Sequence, residues 1–379
     1  MTLDISTDTA SANTGIRHGD LRRTMTGDGS GAMARAPGAT TQHNWVARDV
    51  TLPLPADFTL DSGERLSEPW LTLRITRGAQ VADDAPLVAV AGGISAGRVV
   101  ARDAGANAPT AWWAEVARPG GGVDLDAVRM LSFDMLPNAG ETATTITTND
   151  QARALAAALD GLGVERLAAY IGSSYGGMVG LAFAADHGHR LGRLAVISAA
   201  HRPDATATAW RGIQRRMVRF GLDHGDPEGG LALARQLAMT TYRAANELDQ
   251  RFDCTAQGAH AGDPFDVCEY LIARGEAFCK VMAAERFLTL SDSLDRHRVD
   301  PAAIDVPTLL IAARTDRLVS PDAMVCLAAR TKGSSRYCVI DTPYGHDAFL
   351  KEPEQMNHLL GQFLDEVLAA EAPARAAAS

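Results

Sequence analysis

The chain has 379 residues, 46% of them hydrophobic and 22% charged, which is enough length and apolar content for one large α/β domain carrying an insertion. A formal net charge of -10 argues against nucleic acid or an anionic membrane surface as a partner, because both repel an acidic protein surface. No apolar run approaches membrane-spanning length, and Met1–Gly15 lacks a basic segment followed by an apolar core, so a cytoplasmic protein is expected.

Residues 1–44, rich in Gly, Ser, Thr, Ala and Arg without a period, cannot bury enough apolar surface to order themselves and read as a disordered extension. From Trp45 to Ile75 the pattern alternates, in Val50, Leu52 and Leu54 and again in Leu71, Leu73 and Ile75, with Asp61, Ser62 and Gly63 between; antiparallel strands joined by a turn are predicted. Pro86 to Val90 is continuously apolar, as suits a buried parallel strand, and it ends in Gly92 and Gly93. Val128 to Phe133 supplies another buried strand. Asn149 or Asp150 is placed to cap an Ala- and Leu-rich helix that stops at Leu162 and Gly163. Leu167 to Ile171 is a strand, Met178 to Ala185 a helix, and Gly172, Ser173, Ser174, Tyr175, Gly176 form the turn between them. Further strands are predicted at Arg193–Ser198, Pro307–Ala312 and Arg336–Ile340, and an amphipathic helix at Pro353–Leu368. Between Ser198 and Pro307 there is helical periodicity and no convincing strand, an insertion too long for a loop. The expected fold class is therefore α/β. A mostly parallel sheet has helices on both faces, formed by residues 45–198 and 306–370, and residues 199–305 form a helical cap over its active end.

The turn at Ser174 is G-x-S-x-G between a strand and a helix, an arrangement that holds a serine hydroxyl out at the top of a sheet. A serine is a poor nucleophile at neutral pH and needs a base, which in turn needs an acid to fix its tautomer. Asp316 stands just past one predicted strand and His346 just past the last, giving the order Ser, Asp, His used by α/β-hydrolase sheets. The backbone N–H groups of Tyr175 and Gly93 are the candidate oxyanion donors. Two arginine-bearing stretches, Ala209–Arg215 and Thr241–Ala244, read from sequence alone as solvated helix faces. The five cysteines, Cys254, Cys268, Cys279, Cys326 and Cys338, are odd in number and lack C-x-x-C spacing. They indicate neither a disulfide framework nor a metal site, and read as buried or inert thiols.

From about Phe58 to Leu364 these motifs resemble the homoserine O-acyltransferase family, α/β-hydrolase-fold enzymes that acylate an amino-acid hydroxyl from an acyl-CoA. The resemblance rests on Phe58–Glu64, the Trp112, Trp113 pair, the Ser174 turn, Thr241–Arg243 with Gln250–Phe252, Tyr270 and Leu271 with Gly275 and Glu276, and Gly345–Leu350. It implies that Arg243 binds the carboxylate of the amino acid and that Asp347, beside the base, holds its ammonium group. It also implies a succinyl-CoA donor, because Arg211 stands where acetyl-transferring members carry an uncharged residue, and an unpaired succinyl carboxylate would be costly to bury. No cofactor is expected, succinyl-CoA being a co-substrate, and a homodimer through the cap helices is implied. Two stretches depart from the family pattern: Gly92–Ser95 replaces a Thr-Gly-Asp-Ser type of loop, and Met135–Thr148 lacks the Gly- and Cys-containing segment of acetyl-transferring members. Homoserine and serine remain alternative acceptors, since one methylene separates them. An acetyltransferase, a plain serine esterase and a non-catalytic binding protein are the rival readings.

Overall fold

The computed structural model describes residues 45–102, 110–138 and 144–378; the expectation for residues 1–44 falls outside them. The strands are β1 (Trp45–Pro53), β2 (Trp70–Gly78), β3 (Leu87–Ala91), β4 (Ala117–Arg118), β5 (Val123–Asp124), β6 (Arg129–Phe133), β7 (Leu167–Ser173), β8 (Leu191–Ile197), β9 (Thr308–Ala313) and β10 (Ser335–Ile340). All but β4 and β5 join one eight-stranded sheet in the order β1-β2-β6-β3-β7-β8-β9-β10. β1 and β2 pair antiparallel, as do β2 and β6, and every other neighbour is parallel. Every residue of β3, β7 and β9 is buried, because helices cover both faces of the parallel part. That is why these strands appear in the sequence as unbroken apolar runs. The edge strand β1 is exposed along most of its length and alternates instead.

On one face lie α1 (Thr148–Gly161), α2 (Tyr175–His187) and, further along the chain, α8 (Pro321–Arg330). On the other lies α10 (Pro353–Ala378), which packs on β7 and β8 and puts Met356, Leu360, Phe363 and Val367 in one apolar cluster with side chains of β3 and β9. The cap of α1 differs from the sequence expectation. Thr147 is the N-cap and Asp150 the third helical residue, and each side chain accepts the other's backbone N–H in a capping box. Asp150 is buried and also accepts the N–H of Asp61, so the acid anchors the β1–β2 connection as well as the helix. The cysteine reading is corrected too: Cys254, Cys268 and Cys326 are at the surface, and Cys279 and Cys338 are half-buried.

Between β8 and β9 the chain forms α3 (Ala205–Asp223), α4 (Pro227–Tyr242), α5 (Ala245–Arg251), α6 (Asp266–Cys279) and α7 (Ala284–Arg296), with no sheet strand among the described residues. α3, α4 and α7 contribute side chains to a cavity that also holds Ser174 and His346, so they roof the carboxyl ends of the strands. The short helix α9 (Ala348–Lys351) follows the last strand-end loop, and the Trp113 indole donates to its Phe349 carbonyl at 2.7 Å.

Candidate active site

The site is made by three strand-end loops, those after β7, β9 and β10. Ser174 leaves β7 with φ 53° and ψ -120°, a strained backbone that turns the chain directly into α2. Two backbone bonds hold it there: the Ser174 N–H donates to Ile197 O of β8, and the Gly176 N–H to Gly92 O after β3. A Cβ on residue 176 would lie 2.4 Å from Ala91 O, so only glycine lets the turn press this closely on β3.

His346, in the loop after β10, faces Ser174 with Nε2 2.8 Å from Oγ. Its Nδ1 is 2.8 Å from Asp316 Oδ2, in the loop after β9. The acid is itself fixed, because its Oδ1 accepts the N–H groups of Leu318 and Val319. With Nδ1–H committed to the carboxylate, neutral Nε2 is left to accept the serine proton. Burial alone would lower the imidazole pKa, but the charge and hydrogen bond of Asp316, aided by Asp347 and opposed by Arg211, hold it above the ordinary value. The Tyr175 N–H is the first of α2 and has no intrahelical acceptor. Gly93 backs the serine: a Cβ there would stand 3.9 Å from Ser174 Cβ and 4.0 Å from Oγ.

Above the triad is a cavity of about 150 Å³. Arg211 lines it and is only 8% exposed, which overturns the solvated-face reading of its stretch. The reason is Asp295 of α7, whose Oδ1 lies 2.7 Å from Arg211 Nε and whose Oδ2 lies 2.6 Å from Arg215 Nη1, drawing both guanidinium groups inward. Thr241–Ala244 is likewise not a solvated face. Arg243 is buried, with Nε 2.9 Å from Asp347 Oδ2 and Nη1 3.2 Å from Glu247 Oε1. The guanidinium of Arg243 is therefore committed to two carboxylates, and the residue is not part of the cavity wall; Asp347 is.

The sequence reading missed Arg235. This residue of α4 lines the cavity, with its guanidinium over the rings of Tyr242 at 5.2 Å and Phe278 at 4.6 Å, and it has no carboxylate partner among the described residues. The available signal was its spacing: Arg235 lies seven residues before Tyr242, on the same helix face. Ser198 was missed as well. It follows β8 at φ 50°, lines the cavity, and its buried Oγ has no partner among the described residues. A lone serine after a strand carries no pattern that would single it out.

A family profile for the α/β-hydrolase fold matches residues 132–353. Homoserine O-succinyltransferase of Xanthomonas campestris pv. campestris is 42% identical over 280 residues, covering 74% of this chain and 75% of that protein. Homoserine O-acetyltransferase of Clavibacter michiganensis subsp. michiganensis is 30% identical over 306 residues, covering 69% of this chain and 79% of that one. Among solved structures, homoserine O-acetyltransferase from Bacillus anthracis superposes with a TM-score of 0.74 at 16% identity, over 84% of this chain and 97% of that one, a likeness of fold. With the triad on a mostly parallel sheet and two relatives aligned over most of their length, the chain belongs to the homoserine O-acyltransferase family of the α/β-hydrolase fold and is an acyltransferase.

Proposed function

We propose that the protein is a homoserine O-succinyltransferase, moving succinyl from succinyl-CoA to the hydroxyl of L-homoserine for methionine synthesis. The observation that carries the reading is the charge inventory of the cavity: Arg211, Arg235 and Asp347 surround the Ser174–His346 pair. A succinyl group brings one carboxylate, and homoserine one carboxylate and one ammonium, so two cations and one anion match the pair of substrates. Arg211 takes the succinyl carboxylate. Arg235, rather than Arg243, takes the amino-acid carboxylate, because it is the cation on the wall that no carboxylate already holds. Asp347 receives the ammonium on Oδ1, while Arg243 grips its Oδ2 and sets its angle. Arg211 and Arg215 share the single carboxylate of Asp295, and an acetyl donor would leave their excess positive charge at the cavity without an anion, which favours succinyl over the acetyl alternative.

In the first stage His346 accepts the Ser174 proton as Oγ attacks the thioester carbon, and the N–H groups of Tyr175 and Gly93 hold the oxyanion. The C–S bond breaks, and His346 returns the proton to the CoA sulfur. In the second stage His346 takes the proton of the homoserine hydroxyl, whose oxygen attacks the acyl-serine ester; collapse returns the proton to Ser174 and frees O-succinylhomoserine. Asp316 stabilises the imidazolium in both stages. The cap keeps water, the competing nucleophile, from the acyl-enzyme. The chemistry needs no cofactor, only succinyl-CoA as co-substrate.

Two further features belong to the reading. Among the described residues no helix is long and apolar enough to cross a membrane, and none of the five cysteines is in a disulfide, which supports action in the cytoplasm. Ile213 and Phe220 of α3, Leu233 of α4 and Ile272 of α6 are exposed along one outer groove of the cap, Phe220 to 65%, and this apolar face supports a homodimer joined there.

The test is thiol release from succinyl-CoA and from acetyl-CoA, each with homoserine, with serine and with no acceptor, in the wild type and in Ser174→Ala. Homoserine-dependent release from succinyl-CoA that Ser174→Ala abolishes is expected. Equal release without an acceptor would make the protein a hydrolase and end the reading.

A further inference from the structure

We propose that Gln214 is a second reader of the donor's free carboxylate, acting beside Arg211; the inference rests on the succinyl reading and extends it to a residue that acts by hydrogen bonding alone. Arg211 and Gln214 lie three residues apart on α3 and so share a face. Both line the cavity above Ser174, and Gln214 is only 4% exposed. Its side-chain amide forms no hydrogen bond with any other described residue. Buried amides are almost always satisfied, because leaving one unpaired costs free energy; a carboxamide that meets only a cavity is arranged for something that enters the cavity.

The surroundings fix what that something is. Asp295 Oδ1 faces Arg211 Nε at 2.7 Å and Nη2 at 2.6 Å and accepts from Thr208 Oγ1 at 3.0 Å, while Oδ2 faces Arg215 Nη1. One carboxylate shared by two guanidinium groups leaves one positive charge. The same contacts pin Arg211 by one edge of its fork, and its Nη1 has no acceptor among the described residues. A carboxylate has two oxygens: Arg211 Nη1 donates to one, and the Gln214 amide N–H to the other. A neutral second donor suits this position, because the local charge already balances a single anion and a third arginine would over-neutralise it. Phe287 and Leu294 of α7 supply apolar wall for the two methylenes between thioester and carboxylate.

The test is the rate at which Ser174 is acylated by succinyl-CoA and by butyryl-CoA, which has the same length with a methyl where the carboxylate stands. Thiol release and the mass of the acyl-enzyme are read in the wild type, Gln214→Ala and Gln214→Glu. The ratio of succinyl to butyryl rates is expected to fall about tenfold in Gln214→Ala, the worth of a hydrogen bond to a charged group, and further in the isosteric Gln214→Glu, which sets a like charge against the ligand. Gln214→Glu keeps the side-chain volume and carries the comparison if the alanine variant does not fold. An unchanged ratio, or two rates that fall in parallel, overturns the inference and leaves the succinyl reading standing. A wild type with no preference for succinyl over butyryl removes that reading, and the inference with it.

Discussion

His346 stands between opposed influences: burial favours the neutral ring, while the Asp316 charge favours the protonated one and prevails. The sign of the pH effect follows. Only neutral Nε2 accepts the serine proton, so activity is lost as pH falls through the raised pKa. The acid limb of the kcat/KM profile is expected to have its midpoint above 6.5, the ordinary imidazole value. A midpoint at or below 6.5 would mean that burial outweighs the carboxylate. Ser174 and Asp316 were legible because each follows a strand buried along its whole length, and His346 because it follows the last strand, β10, a half-buried edge strand whose end is still marked in sequence. That Arg235 and not Arg243 lines the cavity was not legible, because no local pattern decides it. They lie eight residues apart around the C-terminal end of α4, and which of them faces the cavity depends on Tyr242, Phe278, Asp347 and Glu247, contacts between distant parts of the chain. Local pattern carries no record of those contacts.

At the scale of elements, α3 shows how a cap helix departs from its sequence pattern. Arg211 and Arg215 look like a polar face because their partner, Asp295, lies about eighty positions downstream on α7. Replacing Asp295 with alanine leaves two largely buried guanidinium groups competing for no carboxylate. A loss of about 3 kcal/mol in denaturant unfolding is expected, the cost typical of breaking a buried ion pair from one side. A loss within 0.5 kcal/mol would show that water reaches the pair and screens it. The helix α1 carries a related lesson. Asn149 and Asp150 both suit an N-cap by type, but Asp150 is drawn to the third helical position because there it closes a capping box and receives the Asp61 N–H.

Over the whole molecule, the α/β-hydrolase sheet was legible from eight apolar or alternating runs and their order, while β4 and β5, two residues each, lie below any detectable period. The apolar outer face of the cap has a consequence for assembly. The protein is expected to sediment as a dimer at micromolar concentration, and Phe220→Asp to shift it to monomer. A monomeric wild type would leave that face without its proposed partner.

The end of α4 is fastened to the loop that bears the base. Ala244 N–H donates to Pro343 O at 3.2 Å, Arg243 grips Asp347, and Gly345, at φ 53°, passes so close beneath the cap that a Cβ there would meet Tyr242 O at 2.5 Å. The roof is bolted to its own catalyst: all three contacts fall on residues 343–347, the segment that carries His346. The protection of the acyl-enzyme and the alignment of its base thus share one set of contacts, so a substitution that loosens one is felt by the other.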